Sequence, residues 1–356
     1  MTIGTLKHRI RKIQRTTNRW TLMCLAIKSR VIARKIYCIK TNAIDCIQLM
    51  TNIPALIVTL NPASDFFSTL DIFYTQFNQI IIVDNGSDSG SHRLLEIETQ
   101  KRNRSLNVLF NKTNLGIATA LNQGLQWAIA KGYHQIIAFD QDSQPMPGMV
   151  TALTDAFMAN SKDGYLAVVA PVVTHPTVNI QARYLRPKNK LAFERVSCDG
   201  DVLENVTYAI TSGSLFDLSV YQEIGPFQDD FFIDYVDIEY CLRARDKEYR
   251  TIVACNAYLQ HHLGNQQQRK FLSRTFYPTF HSVTRWYYIS RNRTWTLGRY
   301  AIKFPYWLFF EIGVTINSIL RMLLFEDHRL AKIRAILVGT LDGLIGRMGR
   351  IPDSIK

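Results

Sequence analysis

Two aspartates one residue apart follow an apolar run in the segment HQIIAFDQDSQPMPG (134–148). The run is β-prone and too short for an ordinary helix, and two prolines close the segment, so it is predicted to be an interior strand of a parallel sheet. Asp140 and Asp142 would then lie at its carboxyl end, where open α/β sheets bind their ligands. Carboxylates that alternate along an extended chain can hold a divalent cation. The alternative is an Asx-rich turn, which needs no metal.

Polar groups also stand at the ends of two earlier apolar runs. Thr59 and Asn61 close the first run, and Asp84 and Asn85 close the second. The glycine cradles of nicotinamide-binding and P-loop proteins are both missing from the sequence, because NPASD follows the first run and GxxxxGK[ST] does not occur. Phosphate charge at such an edge must be neutralised in another way, and Mg²⁺ or Mn²⁺ held by Asp142 would do so. These residues therefore predict a site for a metal-bridged sugar nucleotide.

The elements that must position these groups alternate along the chain. Amphipathic segments separate the early apolar runs, and GIATALNQGLQWAIAKGY (116–133) has the spacing of a helix that ends at Gly132. This alternation predicts βαβ units and a parallel sheet. The predicted strands are 54–60, 79–84, 107–110, 135–139 and 166–172.

Strands become fewer and loops longer after residue 172. Residues 204–217 are predicted to form a strand that breaks at Ser212, Gly213 and Ser214, and residues 231–249 a loop that continues into a helix. We expect this part of the chain to complete a single active-site face.

Composition excludes several classes of protein. A chain of 356 residues with 47% hydrophobic content can bury a full core, so it is neither disordered nor fibrous. The six cysteines have no CxxC spacing and no disulfide-dense pattern, and no N-terminal stretch has the long uncharged core of a signal peptide. Reduced thiols and a cytosolic location are expected.

The net charge of +13 is concentrated at the N-terminus. Residues 1–40 contain eleven Lys or Arg and no Asp or Glu, so the rest of the chain is nearly neutral. This basic extension, with apolar residues between the charges, could lie on anionic lipid or bind nucleic acid. It could also be a solvated extension or sequence upstream of a start at Met50.

A long apolar stretch occupies residues 304–325. It could span a bilayer, but Glu311, Asn317 and Arg321 would be costly at the centre of a lone membrane helix. It is predicted to be an interfacial or protein-packed helix, with a true span as the alternative.

Six motifs follow one another between about residues 54 and 300: ALIVTLNP, IIIVDNGSDSGS, NKTNLGIATALNQGL, IIAFDQDSQP, TSGSLF and FFIDYVDIEYCLRAR. In order and spacing they resemble the large inverting glycosyltransferase family with the GT-A fold. The last motif, followed by HHLGN and YYISRN, looks most like the bacterial rhamnosyltransferase branch. The resemblance implies a Rossmann-like, mostly parallel α/β sheet flanked by helices. Together with the charge and hydropathy patterns, this predicts three parts: a basic N-terminal extension (1–50) outside the resemblance, a GT-A glycosyltransferase domain (51–300), and a C-terminal amphipathic or apolar helical region that associates with a membrane (301–356).

The resemblance also implies roles for individual residues. Asp84 would contact the nucleotide base, with Thr59 and Asn61 in the same pocket. Asp140 would contact the donor sugar or ribose, and Asp142 would bind the metal. The other implied donor-binding residues are Asn85, Asn114, Gly116, Ser212, Gly213 and Arg291.

The general base is sought in the acidic cluster Asp234, Asp237 and Glu239. Apolar side chains at 238, 241 and 242 would pack the helix and leave Asp237 near its N-terminus, where the helix dipole favours an ionised carboxylate. Family members often have Glu-Asp where this chain has Val-Asp, so Asp234 or Glu239 could substitute as the base.

Two further groups are assigned from the HHLGN and YYISRN motifs. His261 fits the spacing of a family histidine that reaches the metal or the diphosphate better than His262 does. Arg291 could hold the acceptor or the donor diphosphate, because the planar guanidinium pairs with phosphate oxygens.

These inferences predict a metal-dependent inverting glycosyltransferase that moves L-rhamnose from dTDP-rhamnose to a cell-surface polysaccharide or lipid-linked glycan. One carboxylate would remove the acceptor proton while the metal stabilises the leaving diphosphate. The expected partners are the nucleotide-sugar donor, the saccharide acceptor and the anionic inner face of the cell membrane, without nucleic acid. The alternatives are a UDP-hexose enzyme of the same fold, a basic nucleic-acid-binding protein and a catalytically dead membrane scaffold.

Overall fold

The computed structural model describes residues 52–102, 105–174, 182–261, 269–271 and 274–351, so the basic extension lies outside the described residues. The strands are β1 (Ala55–Thr59), β2 (Ile80–Asp84), β3 (Leu106–Phe110), β4 (Gln135–Asp140), β5 (Ser143–Pro145), β6 (Leu166–Thr174), β7 (Tyr184–Pro187), β8 (Phe193–Val196), β9 (Val202–Leu203), β10 (Leu215–Asp217), β11 (Arg250–His261), β12 (Arg269–Phe271) and β13 (Arg274–Phe276). The helices are α1 (Ser64–Tyr74), α2 (Ser89–Arg102), α3 (Ile117–Ala130), α4 (Met149–Asn160), α5 (Leu218–Ile224), α6 (Val236–Asp246), α7 (Val283–Tyr300), α8 (Pro305–Phe325) and α9 (Arg329–Ile345). A short 3₁₀ turn, Asp229–Phe231, precedes α6.

The central sheet has nine strands in the order β3-β2-β1-β4-β10-β6-β11-β5, with β9 also paired to β11. Strands β3, β2, β1, β4, β6 and β11 are parallel, whereas β10, β5 and β9 run antiparallel to their neighbours. Helices cover both faces, so alternate side chains of one strand enter two different apolar clusters. Burial on both faces explains why the predicted strands appear as continuous apolar runs, and all five are confirmed as β1 to β4 and β6.

The strand predicted within residues 204–217 is wrong in position. Strand β10 begins only at Leu215 and is inserted antiparallel between β4 and β6. Before it the chain turns at Gly213, whose φ is +77° and where a Cβ atom would lie 2.7 Å from the Pro171 ring. The Gly213 N–H donates to the Ala138 carbonyl (2.7 Å), so the turn is fixed to β4. A turn that requires glycine thus interrupts the apolar run.

Two cysteines that were expected to be reduced are joined. Cys198 and Cys255 form a disulfide, with their Cα atoms 5.4 Å apart at a sequence separation of 57. The pairing of β9 with β11 brings the two segments together, which cysteine spacing alone does not indicate. Cys241 is buried and free.

Helix α8 is fixed to the body of the protein through a buried acid. Glu311 accepts a hydrogen bond from the Tyr235 hydroxyl (2.6 Å), and Arg293 Nε lies 3.6 Å from the same carboxylate. In the described part of the chain, α8 is the one helix long and apolar enough to cross a membrane, and 11% of its apolar window is buried. One side of α8 therefore packs on the protein while large apolar side chains are exposed on the other side. The choice between an interfacial or protein-packed helix and a true span stays a prediction.

Candidate active site

The carboxyl ends of β1, β2 and β4 meet at one edge of the sheet. Thr59 is paired with Asp84, and Val58 with Asp140. Parallel neighbours end at the same edge, so the polar groups found at separate strand ends in the sequence come together there.

Asp140, Asp142 and His261 form a group of three possible metal ligands at this edge. One ligand atom from each residue lies within 4.8 Å of the other two. His261 Nε2 is 3.6 Å from Asp140 Oδ2, and Nδ1 is 3.3 Å from Asp142 Oδ1. The antiparallel pairing of β5 with β11 places His261 opposite Ser143 and therefore next to the two aspartates. Two carboxylates and one imidazole are a donor set that suits Mn²⁺ or Mg²⁺.

Two buried serines connect these ligands behind the site. Ser143 Oγ lies 2.6 Å from His261 Nδ1 and 2.6 Å from Ser212 Oγ, and Ser212 Oγ accepts a hydrogen bond from the Asp140 N–H (3.0 Å). Because Ser143 engages Nδ1, Nε2 is the ring nitrogen left to bind a cation. Ser212 and Gly213 are both buried, and Ser212 supports the metal ligands from behind. Donor contact by either residue stays a prediction.

The protonation of the triad depends on burial and on the charges around it. Burial raises the pKa of Asp140, and the Asp142 carboxylate adds to this rise, while His261 and Arg285 oppose it. Burial alone would lower the pKa of His261, but the two carboxylates beside it raise that pKa above its ordinary value. The Asp140 and Asp142 carboxylates thus repel each other, and a bound divalent cation would neutralise this repulsion. His262 lies outside the described residues.

Three of the predicted nucleotide-binding residues are buried beneath the edge. The Asp84 carboxylate is completely buried and accepts hydrogen bonds from the Thr59 hydroxyl (3.0 Å) and the Ser87 N–H (3.1 Å). Asn85 is also buried. In this structure Thr59, Asp84 and Asn85 hold the strand edge together, and their predicted contact with the donor stays a prediction. Asn61 is exposed at the same edge, and its contact with the donor stays a prediction.

The loop before α3 is joined to the loop before α6. Asn85 Nδ2 donates to Asn114 Oδ1 and to the Gly116 carbonyl, both at 3.1 Å. Gly116 has φ +89°, and a Cβ atom there would lie 2.6 Å from the Phe232 carbonyl oxygen. Glycine is required for this close approach, and donor contact by Gly116 or Asn114 stays a prediction.

The three carboxylates of the acidic cluster have different surroundings. Asp234 is paired with Arg285, with Nη2 to Oδ1 at 3.0 Å and Nε to Oδ2 at 3.1 Å. Glu239 is completely buried and accepts hydrogen bonds from Arg243 (2.9 Å) and from a tyrosine hydroxyl. Asp237 is partly exposed in the first turn of α6, and in the described part of the chain no Lys or Arg pairs with it. Asp237 is therefore the member of the cluster whose carboxylate is not engaged in an ion pair with Lys or Arg among the described residues, and its role as the base stays a prediction.

The pKa of Asp237 suits a general base. Burial raises this pKa to about 6, the Ile238 N–H hydrogen bond opposes the rise, and the Asp234 and Asp140 carboxylates add to it. The helix dipole was expected to favour the ionised form, but the cost of burial is larger. A carboxylate with this pKa is ionised at neutral pH and is still basic enough to assist proton removal.

The predicted phosphate contact of Arg291 is wrong. Its side chain is completely buried and donates to the carbonyls of Asp230 (2.8 Å) and Phe231 (2.9 Å). The sequence analysis missed Arg285, which pairs with Asp234 and lies close enough to Asp140 to oppose the rise of its pKa. Six residues of α-helix turn a side chain by roughly 240°, so two arginines of α7 face different surroundings.

The chain is similar in sequence to known glycosyltransferases. Residues 66–225 match the model of glycosyl transferase family 2. The chain is also 26% identical over 314 residues to the dTDP-rhamnosyl transferase RfbF of Shigella flexneri, across 84% of this chain and 97% of that protein. Asp237 and His261 lie beyond the matched family segment, so their placement depends on the structure.

One solved structure supports the fold. The crystal structure of GalNAc-T7 with UDP, GalNAc and Mn²⁺ superposes with a TM-score of 0.53 at 13% identity, over 70% of this chain. The chain spans about half, 48%, of the length of GalNAc-T7. Staphylococcus aureus TarS 1–349 is similar at a TM-score of 0.47 and 13% identity, over 83% of this chain and 82% of that one.

Proposed function

We propose that this glycosyltransferase, whose residues 66–225 match the model of glycosyl transferase family 2, transfers L-rhamnose from dTDP-rhamnose with inversion. The acceptor in this proposal is a hydroxyl of a cell-surface polysaccharide or lipid-linked glycan. The proposal rests on one observation: the Asp140–Asp142–His261 triad lies near Asp237, close enough for the Asp140 carboxylate to raise the pKa of Asp237 further. The choice of donor is supported by the similarity to the Shigella dTDP-rhamnosyl transferase.

Each group has one task in the proposed reaction. Asp237 accepts the proton of the acceptor hydroxyl while the hydroxyl oxygen attacks the anomeric carbon on the face opposite the leaving nucleoside diphosphate. Mg²⁺ or Mn²⁺ held by Asp140, Asp142 and His261 would neutralise charge on the leaving diphosphate. Arg285 keeps Asp234 paired, so that the proton goes to Asp237. A single displacement of this kind inverts the anomeric centre.

A panel of donors tests the proposal. The melting temperature is measured with dTDP-rhamnose, UDP-hexoses and GDP-sugars, each with and without Mn²⁺, because a ligand that binds only the folded state stabilises it. We expect dTDP-rhamnose to raise the melting temperature only with Mn²⁺, and NMR of the product to show an inverted anomeric centre. Stabilisation by a UDP-hexose instead would favour the alternative donor. No effect of any sugar nucleotide would refute the transferase proposal and favour a membrane scaffold.

We further propose that α8 and α9 rest on an anionic lipid surface at the inner face of the cell membrane. The exposed side of α8 carries large apolar side chains at helical spacing, including Ile312, Ile316 (56% exposed) and Leu320 (53% exposed). The exposed apolar residues of α9 are Leu330, Leu337, Leu341, Leu344 and Ile345. Exposed arginines at both ends of α9, together with the basic extension, match anionic headgroups.

Vesicle sedimentation tests this surface. We expect the protein to sediment with anionic vesicles at low salt, high salt to release part of it, and deletion of residues 1–49 to weaken binding without abolishing transfer to a soluble acceptor. Ile316→Glu with Leu320→Glu should also weaken binding. Leu94→Glu, at an equally exposed apolar position on α2, is the matched control. If all forms stay in the supernatant at low salt, the lipid surface is refuted, and salt-sensitive binding to DNA would restore the nucleic-acid alternative.

A further inference from the structure

Residues 230–235 form a loop with a strained backbone directly before α6. Phe232, Asp234 and Tyr235 have φ values of +66°, +62° and +65°, in the left-handed region that residues other than glycine rarely adopt. Such conformations persist only where the surroundings hold them, and they are frequent at functional sites. Asp237 follows the last of these residues by two positions, so the shape of the loop decides where this carboxylate lies.

The loop is held from one side by the Asn292 side chain. Its Nδ2, which carries two hydrogens, lies within hydrogen-bond distance of three carbonyl oxygens of the loop, those of Phe231 (3.0 Å), Ile233 (2.8 Å) and Asp234 (2.9 Å), so one hydrogen is shared. In an exposed loop water would satisfy these carbonyls, whereas here the buried Asn292 amide donates to them.

Arg291 orients that amide. Arg291 Nε donates to Asn292 Oδ1 (2.9 Å), so the Asn292 nitrogen is turned toward the loop. The rest of the Arg291 guanidinium donates to the Asp230 and Phe231 carbonyls and to the Gly349 carbonyl after α9. Both side chains are completely buried, so neither can touch a substrate.

The opposite side of the loop contacts the segment before α3. The Ile117 N–H donates to the Phe232 carbonyl (2.6 Å), where Gly116 permits the close approach. The Phe232 ring stacks on Tyr288 of α7, with the ring centroids 5.1 Å apart. The loop is therefore held between α7 and α3 on both sides.

We propose that Arg291 and Asn292 are positioning residues that hold the left-handed loop 230–235 and thereby place Asp237 for proton removal. The catalytic part of this inference rests on the proposed function, whereas the effect on the loop does not. Asp140, Asp142 and His261 lie on other elements and make none of these contacts. Loss of either positioning residue therefore impairs the proton acceptor and leaves donor binding intact.

Asn292→Ala and Arg291→Lys test the proposal, with Ser290→Ala as the matched control. The Ser290 hydroxyl is on the same helix and is buried without a hydrogen-bond partner in the described part of the chain. We expect several-fold faster hydrogen exchange in peptides covering residues 228–240 of both test variants, and unchanged exchange over residues 135–145. We also expect kcat to fall by at least about tenfold while the affinity for dTDP-rhamnose with Mn²⁺ stays within about twofold.

The pH profile separates positioning from general damage to the fold. A loosened loop admits water to Asp237, so the acid limb of kcat should move to lower pH in the variants. The groups that face Asp237 are Asp234, Asp140, Tyr208 and Cys241, and none of them is altered by the substitutions.

Several outcomes would overturn the proposal. It fails if Asn292→Ala exchanges and turns over like Ser290→Ala, or if donor affinity falls by the same factor as kcat. If Asn292→Ala does not fold, the same measurements on Arg291→Lys decide, because lysine keeps the charge but not the forked set of donors. If the wild-type protein transfers no sugar, the proposed function fails, and the exchange comparison still decides whether Asn292 and Arg291 hold the loop.

Discussion

Asp237→Asn is the substitution that most directly tests the chemistry of the site. The amide keeps the shape of the side chain but cannot accept the proton of the acceptor hydroxyl. A general base contributes about 10²–10⁴-fold to the rate, so kcat should fall by at least about a hundredfold, or about 3 kcal/mol of transition-state stabilisation. Affinity for the sugar nucleotide with Mn²⁺ should stay close to that of the wild type, because the base acts in the transition state.

The raised pKa of Asp237 adds a second expected result in the wild-type enzyme. Since this pKa is about 6, kcat should fall about tenfold per pH unit below pH 6 as the carboxylate becomes protonated. Asp237→Asn should lack this acid limb. Initial rates of dTDP release between pH 5 and pH 8 measure both effects.

The same pKa predicts that the inactive variant is more stable. A folded-state pKa raised from 3.8 to about 6 means that the native state binds the proton more tightly, so wild-type stability falls as the pH rises from about 4 to about 6. Above that window the buried charge costs up to about 3 kcal/mol. Asp237→Asn removes the charge and should unfold at higher urea concentration than the wild type at pH 8, with the difference vanishing near pH 4.

Two neighbouring carboxylates provide the controls. Asp234→Asn loses the pair with Arg285, and Glu239→Gln weakens the buried pair with Arg243. Both substitutions should therefore lower the free energy of unfolding while the acid limb of the kcat–pH profile stays. If Asp237→Asn keeps near-normal turnover while one of these variants abolishes it, the base is that neighbour. If all three remain active, the assignment of a base to α6 is refuted.

The remaining predictions concern the metal ligands and the helical packing. Asp142→Asn should lose the Mn²⁺-dependent thermal stabilisation by dTDP-rhamnose while the melting temperature without ligand stays unchanged. If dTDP-rhamnose with Mn²⁺ still raises the melting temperature of this variant, the DQDS segment is a turn without a metal. Ser143→Ala frees His261 Nδ1 and should weaken Mn²⁺ binding in calorimetry by about 10–100-fold, whereas equal affinity would show that the serine does not orient the imidazole. Gly339→Ala places a Cβ atom against the Tyr287 carbonyl, where α7 contacts α9. It should lower the free energy of unfolding, measured in urea, by about 1–3 kcal/mol. An unchanged midpoint of urea unfolding would contradict this.

The sequence by itself determined the parallel strands and the carboxylates at their ends. A strand that is buried on both faces must be apolar throughout, so its end is visible as the first polar residue, as at Asp84 and Asp140. Parallel strands end at one edge, so these positions could be assigned to one site without knowledge of side-chain contacts. The same reasoning identified Asp237 in the first turn of its helix, because helix periodicity is local.

Only the tertiary structure decided which of these groups are exposed at the strand edge and which are buried behind it. His261 reaches the aspartates because β5 pairs with β11 over a separation of 118 residues, and Ser143 becomes its partner by the same pairing. Asp84 and Asn61 both follow apolar runs in the sequence, but in the structure Asp84 is buried and Asn61 is exposed. The rotation of α7 turned Arg285 toward the site and Arg291 into the protein. Long-range strand pairing and helix rotation depend on contacts between distant residues, and local periodicity contains no information about them.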